Sequence, residues 1–164
     1  MSELVARGAG GLAERWRSAW LEATPEAFGA CCHVDLLYED PIETEPLEGL
    51  AALAAHARRV HAAFPDLRIE PAGAALVDRD HACLPWRFIG TNKGDMGLLP
   101  ASDRFLTLHG VHFLELRDGD VHRARGFFDL YDVAVQLALL PKRGSFGESA
   151  LMALRGFGLL RPRA

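Results

Sequence analysis

The residues best suited to chemistry fall in two acid-bearing stretches, "YEDPIETEPLE" at 38–48 and "RGFFDLYD" at 125–132, and in the pair His109 and His112. Leu36, Tyr38 and Asp40 alternate onto one face of a strand. If that face lines an apolar cavity, loss of solvent raises the Asp40 carboxyl pKa and makes it a base near neutrality. Otherwise Asp40 ends the strand and bonds local amides. Asp129 shares a strand face with Arg125 and Phe127, an arrangement that suits a structural ion pair as well as a catalytic acid or base. Its cross-strand neighbours depend on the hairpin at Asp118-Gly119. A three-residue loop sets Asp129 near Thr107 and His109, a two-residue loop near Leu108 and His112, and the first is preferred. His109 and His112 are an odd number of residues apart, so only one can face a cavity. His109 is the one expected to help carry charge, against the plainer reading of a hydrogen-bonded strand histidine.

Trp16, Trp20, Trp86 and Phe88 are most simply read as core. Trp16 and Trp20 lie on a first helix, "GGLAERWRSAWLEA", whose Leu12, Trp16, Ala19 and Ala23 recur at helical spacing. Trp86 and Phe88 share a strand face with Leu84. If that face is concave, they hold a flat hydrophobic ligand, and Arg87 points away. Thr24-Pro25 predicts a short capped helix, and "VDLLYED" a brief strand. In "LAALAAHARRVHAAF" Leu50, Leu53, Ala57, Val60 and Phe64 form one stripe of a third helix, with Arg58 and Arg59 off it.

Four strand-length segments follow, "LRIEPAGAALVD", "HACLPWRFIG", "FLTLHGVHFLELR" and "DVHRARGFFDLYD", which predict a curled antiparallel sheet. The glycine-rich stretch 90–104 is longer than a hairpin needs and is either a loose connection or a pocket cover. Beyond the sheet, "VAVQLALLP" and "ESALMALRGFGLL" read as apolar helices that pack on their own domain or on a second subunit. Helices, one strand, a long helix and then a block of strands predict an α+β fold. Its cone-shaped, curved, mixed or antiparallel sheet would wrap a pocket, with helices packed on the concave face.

At 164 residues and 49% hydrophobic content the chain is the size of one domain with a full core. Twenty-two acids against 18 bases, with no basic block, argue against nucleic acid and anionic membranes as partners. Three cysteines cannot make a disulfide framework, and no run approaches a membrane span, so a soluble cytoplasmic protein is expected. His56 and His61 do not share a helical face at zinc spacing, and Cys31, Cys32 and His33 diverge. No metal and no cofactor are therefore expected. Neither a nucleophile elbow nor a dinucleotide-binding glycine motif is present.

The run "EDPIETEPLEGLAAL" is similar to the segment that carries the catalytic base of ketosteroid isomerases, and "HAAFPDLRIE" with "GVHFLELRDGDVHRARGFFD" resembles the SnoaL-like polyketide cyclases. Both are groups of the nuclear transport factor 2-like superfamily, and the resemblance spans about residues 10–141, with a helical extension at 142–164. It implies that Asp40 stands at the isomerase base. The isomerases' phenol donor falls at Trp16, and their second donor acid at Val111. The Glu-His-Trp-Asp pattern of the cyclases is replaced by "RARG", with Gly126 at the acid's place. Asp129 matches the closing acid of epoxide-hydrolase-like members, whose remaining Arg-x-Asp pair would fall at Arg87 and Ile89. The resemblance implies carboxylate chemistry next to a carbonyl, an aldol-type cyclisation or isomerisation of a polyketide- or steroid-like substrate. Asp40 or Asp129 would be the base, His109 the helper, and Trp16, Tyr38, Trp86, Phe88, Phe127 and Arg125 the binding residues. Its alternatives are a non-catalytic binding domain and an epoxide hydrolase, and it implies a homodimer.

Overall fold

A computed structural model describes residues 2–97 and 99–156. Helix α1 (Ser2–Glu22) begins eight residues before the predicted start, and Leu12, Trp16, Ala19 and Ala23 are all buried, as their spacing requires. It stops where Ala23 turns to a left-handed φ of 54°. Helix α2 (Pro25–Gly29) is capped as predicted, with the Ala27 amide donating to Thr24 Oγ1 at 3.2 Å and Pro25 in the first turn.

Strand β1 (Cys32–Glu39) and a two-residue β2 (Leu47–Glu48) precede helix α3 (Gly49–Ala63). Leu53, Ala57 and Val60 are buried and Arg58 and Arg59 exposed, so the stripe lies where periodicity set it. The segment read as one strand at 67–78 divides into β3 (Arg68–Pro71) and β4 (Leu76–Val77), since Pro71 has no amide hydrogen to continue the ladder. Strands β5 (His81–Thr91), β6 (Phe105–Arg117) and β7 (Asp120–Phe128) form the long centre of the sheet.

The strand order is β2-β1-β7-β6-β5-β3, with β4 also on β5, and every pairing is antiparallel except β1 with β7. The architecture is the predicted α+β one: a curved, mostly antiparallel sheet with helices against its concave face. One parallel pairing makes it mixed.

The β6–β7 turn reaches the preferred register by an unforeseen route. Asp118 and Gly119 both have positive φ, 55° and 91°, and Arg117 pairs with Asp120, so the loop has two residues. Pairing of Glu115 with Arg123 and of Leu116 with Val121 leaves His122 as an extra residue, a β-bulge. The bulge restores the register of a three-residue loop: Gly110 faces Phe128, which sets Asp129 level with His109.

The segment between β5 and β6 is a tied cover. The Asn92 amide donates to Arg104 O, and the Lys93 amide to Ala63 O. Buried Asn92 donates from its side chain to Gly94 O at 2.8 Å and accepts from Ser102 Oγ at 2.9 Å. Met96 and Leu99 exchange backbone hydrogen bonds and are both buried. After the sheet come α4 (Leu130–Gln136) and α5 (Phe146–Gly156). Tyr131 ties them by donating to Glu148 Oε1 at 3.1 Å, so the tail contacts its own domain, and residues 157–160 of its predicted helix lie outside the described residues.

Candidate active site

Sheet, α3 and cover enclose a cavity of about 80 Å³. Val60 of α3 and Phe64 at its C-terminal cap, Phe88 of β5, Leu108 of β6, and Met96 and Leu99 of the cover supply apolar wall. Its polar atoms come from Tyr38, Asp40, His56 and His112, with the indoles of Trp20 and Trp86. The lining, apolar with few polar groups, is of the kind that holds hydrophobic small molecules, in a volume below the roughly 300–1,000 Å³ of pockets for drug-sized ligands.

Asp40 follows directly on β1, where strand alternation turns Leu36, Tyr38 and Asp40 inward, and its side chain is 4% exposed. Oδ2 accepts from the Tyr38 hydroxyl at 3.1 Å and faces His56 Nε2 at 3.0 Å. Oδ1 accepts from the amides of Ile42 and Glu43 at 2.8 and 3.1 Å. Both sequence readings of Asp40 are therefore realised at once, a buried chamber acid and a turn acid. Its expected pKa shift is reversed. Burial is the largest influence and pushes the carboxyl up, but the His56 contact and the two amides together carry it below the usual carboxylate range. Burial and the neighbouring Asp40 charge hold the Tyr38 phenol well above its ordinary value.

His112 stands in an aromatic cage. Trp16 Nε1 donates to its Nδ1 at 3.1 Å, Trp20 stacks on it with centroids 5.5 Å apart, and Trp86 lies 5.4 Å away. Burial drives its pKa down to about 3, opposed by the Asp40 charge and aided by His56. The ring is neutral, and because Nδ1 accepts, Nε2 carries the single proton. The indole nitrogens of Trp20 and Trp86 are buried without an acceptor among the described residues.

Asp40, Tyr38 and His112 converge beside Gly126 of β7. The point where a Cβ would stand on residue 126 is 3.0 Å from the Tyr38 hydroxyl, 3.2 Å from Asp40 Cβ and 3.6 Å from His112 Cδ2. A side chain there would press on Tyr38 and Asp40 and touch His112, so the close packing needs a residue without a Cβ.

Several predicted site residues lie elsewhere. His109 is exposed on the outer sheet face, so the histidine that reaches the chamber is His112. Asp129 is also outside. It caps α4 by accepting from the Asp132 amide at 3.0 Å, and pairs with Arg143 at 3.2 Å, not with Arg125. Arg125 pairs with Glu39 at 2.8 Å, and Phe127 is 54% exposed. Beyond the bulge, odd positions of β7 face outward and Asp129 follows just after the strand, which leaves all three out of the cavity. Trp86 and Phe88 line the chamber, and Arg87 points outward to Glu70. The three residues aligned with an epoxide-hydrolase relay thus share no cavity: Arg87 and Asp129 are on the outer side. Tyr38 lines the chamber, and Trp16 stands behind His112.

Sequence reasoning missed His56 and Glu43. His56 is 1% exposed and sits three residues after Leu53 and four before Val60, on the apolar stripe, which was the available signal. Glu43 was one acid among five in its loop. No group of three His, Cys, Asp or Glu side chains among the described residues could hold a metal, and no described helix is long and apolar enough to cross a membrane.

Residues 11–137 match the family model of SnoaL-like polyketide cyclases. No curated protein sequence matches the chain. Among solved structures, TsrD from Streptomyces laurentii is similar at 24% identity and a TM-score of 0.71, covering 82% of this chain and 97% of TsrD. A protein described as a SnoaL-like polyketide cyclase from Jannaschia sp. CCS1 is 18% identical with a TM-score of 0.71, covering 84% and 96%. A protein with a ketosteroid isomerase-like fold from Catenulispora acidiphila DSM 44928, solved with trimethylamine, is 18% identical with a TM-score of 0.64, covering 77% and 92%. At these identities the likeness is one of fold.

Proposed function

The chain belongs to the SnoaL-like polyketide cyclase family, and from that premise we propose that it moves a proton next to a carbonyl of a hydrophobic, polyketide- or steroid-like small molecule held in the chamber, in an aldol-type cyclisation or an isomerisation. The observation that carries this reading is that Asp40, Tyr38 and neutral His112 line one and the same apolar cavity. Asp40 is the base. Its lowered pKa keeps it ionised at neutral pH and also makes it weak, so the developing enolate needs strong stabilisation. The Nε2 proton of His112 supplies that stabilisation as a neutral hydrogen-bond donor in dry surroundings. Carbonyls flanking the acidic carbon would make the substrate fit a weak base.

A second reading, a binding domain without turnover, is favoured by one observation. Four donors already occupy the lone-pair positions of Asp40. Asp40→Asn separates the two. In an enzyme, loss of a positioned base lowers kcat by about 10² to 10⁴ with ligand affinity retained. Unchanged turnover of a substrate by Asp40→Asn would refute the proposal.

A further inference from the structure

We infer that His56 is a fixed imidazolium, a positioning cation that holds the Asp40 carboxylate ionised from behind, with Glu43 as its own counter-acid. The inference rests on the reading of Asp40 as the base. Both ring nitrogens of His56 face carboxylate oxygens, Nε2 toward Asp40 Oδ2 at 3.0 Å and Nδ1 toward Glu43 Oε1 at 2.7 Å. A neutral imidazole carries one N–H, so it would set a bare lone pair against one of these oxygens. Asp40 accepts three further hydrogen bonds, and Glu43 accepts from Arg59, which marks both as anions. Two N–H bonds from His56 complete the set.

The charges close locally: Asp40 and Glu43 against His56 and Arg59. Arg59 Nη2 comes to 3.2 Å of Nδ1, a contact that is a hydrogen bond only toward an unprotonated Nδ1, but Glu43 Oε1 lies closer to Nδ1, at 2.7 Å, and calls for an N–H there. From the other elements packed around the ring come Tyr38 of β1, with centroids 5.7 Å apart, Trp20 of α1 at 5.8 Å, and the neutral His112, whose protonation the His56 charge further disfavours. Exposure rises outward along the row, from 1% at His56 to 23% at Glu43 and 49% at Arg59. The outer pair thus sets a buried charge from the surface.

Nitrogen-15 NMR of the full chain with labelled histidine tests this, with the His56 signals assigned by their loss in His56→Gln. At pH 7.5 the wild type is expected to show both His56 nitrogens protonated, whereas His112 shows one. Glu43→Gln is expected to leave His56 with a single ring proton and to raise the Asp40 titration midpoint, followed by carbon-13 labelling, by about one pH unit or more. If a substrate is turned over, the acid limb of its kcat/KM profile moves to higher pH by the same amount. A singly protonated His56 in the wild type overturns the inference, even where Glu43→Gln does not fold. So does an Asp40 midpoint unmoved in Glu43→Gln. A doubly protonated His56 alongside full turnover by Asp40→Asn would uphold the charge assignment and overturn the base role instead.

Discussion

Trp16 Nε1 lies 3.1 Å from His112 Nδ1 and fixes which imidazole nitrogen carries the proton. The bond joins α1 to β6, residues 96 positions apart, and sets the donor on the chamber side of the ring. Trp16→Phe keeps an aromatic ring but leaves a buried acceptor unpaired, at an expected cost of about 1–3 kcal/mol in urea unfolding. Nitrogen-15 shifts of His112 should then report mixed tautomers. A single unchanged tautomer would show that something else orients the ring.

Stability should fall on acidification well before the carboxylates titrate. His112 takes up a proton near its ordinary 6.5 when unfolded, but only at about 3 when folded. Between those values the unfolded chain binds more protons, so stability is lost as pH falls, by up to about 1.4 kcal/mol per unit. Asp40 adds to the loss at the acid end, since its lowered folded pKa contributes stability that is present above its unfolded value and disappears as pH drops through the folded one. Urea titrations of wild type and His112→Gln from pH 7 to pH 4 check this, and the variant should have the flatter curve.

Gly126→Ala should damage the site more than the fold. Its methyl would begin 3.0 Å from the Tyr38 hydroxyl and 3.2 Å from Asp40 Cβ, closer than ordinary contact. Overpacking of this kind costs about 1–3 kcal/mol. Occupied space beside Asp40 should also lower turnover or ligand affinity tenfold or more, about 1.4 kcal/mol. Calorimetric ligand titration against thermal unfolding compares the two effects.

The cover depends on Asn92. Asn92→Ala removes the side chain that joins Gly94 O to Ser102 Oγ and should weaken the segment by about 1–3 kcal/mol. Hydrogen exchange should accelerate at the described amides of Met96 and Leu99, while those of β6 stay protected. Equal acceleration throughout would mean that the cover and core open together.

Much of the architecture was legible because it follows from local periodicity. The stripe from Leu53 to Phe64, the Thr24 cap and the inward turn of Leu36, Tyr38 and Asp40 each depend on residues within a turn or a strand of one another. The same alternation narrowed the histidines to one inward residue. It could not say which, because facing is a property of the sheet's curvature and of what packs against it. Asp129 illustrates the limit: its register beside His109 came out as preferred, yet that level lies on the convex side, where the carboxylate caps a helix and meets Arg143.

The site's charge was decided at longer range still. The sequence determined that an acid would end β1 and that a histidine would sit on the apolar stripe of α3. Only the packing of α3 over that loop brought Asp40, His56 and Glu43 within 3.0 Å contacts across 13 or more residues. Burial alone would have raised the Asp40 pKa, as its surroundings in the sequence imply. The His56 contact, delivered by tertiary structure, reversed the sign together with the local amides of Ile42 and Glu43, and the distance to His56 is one that no local pattern encodes.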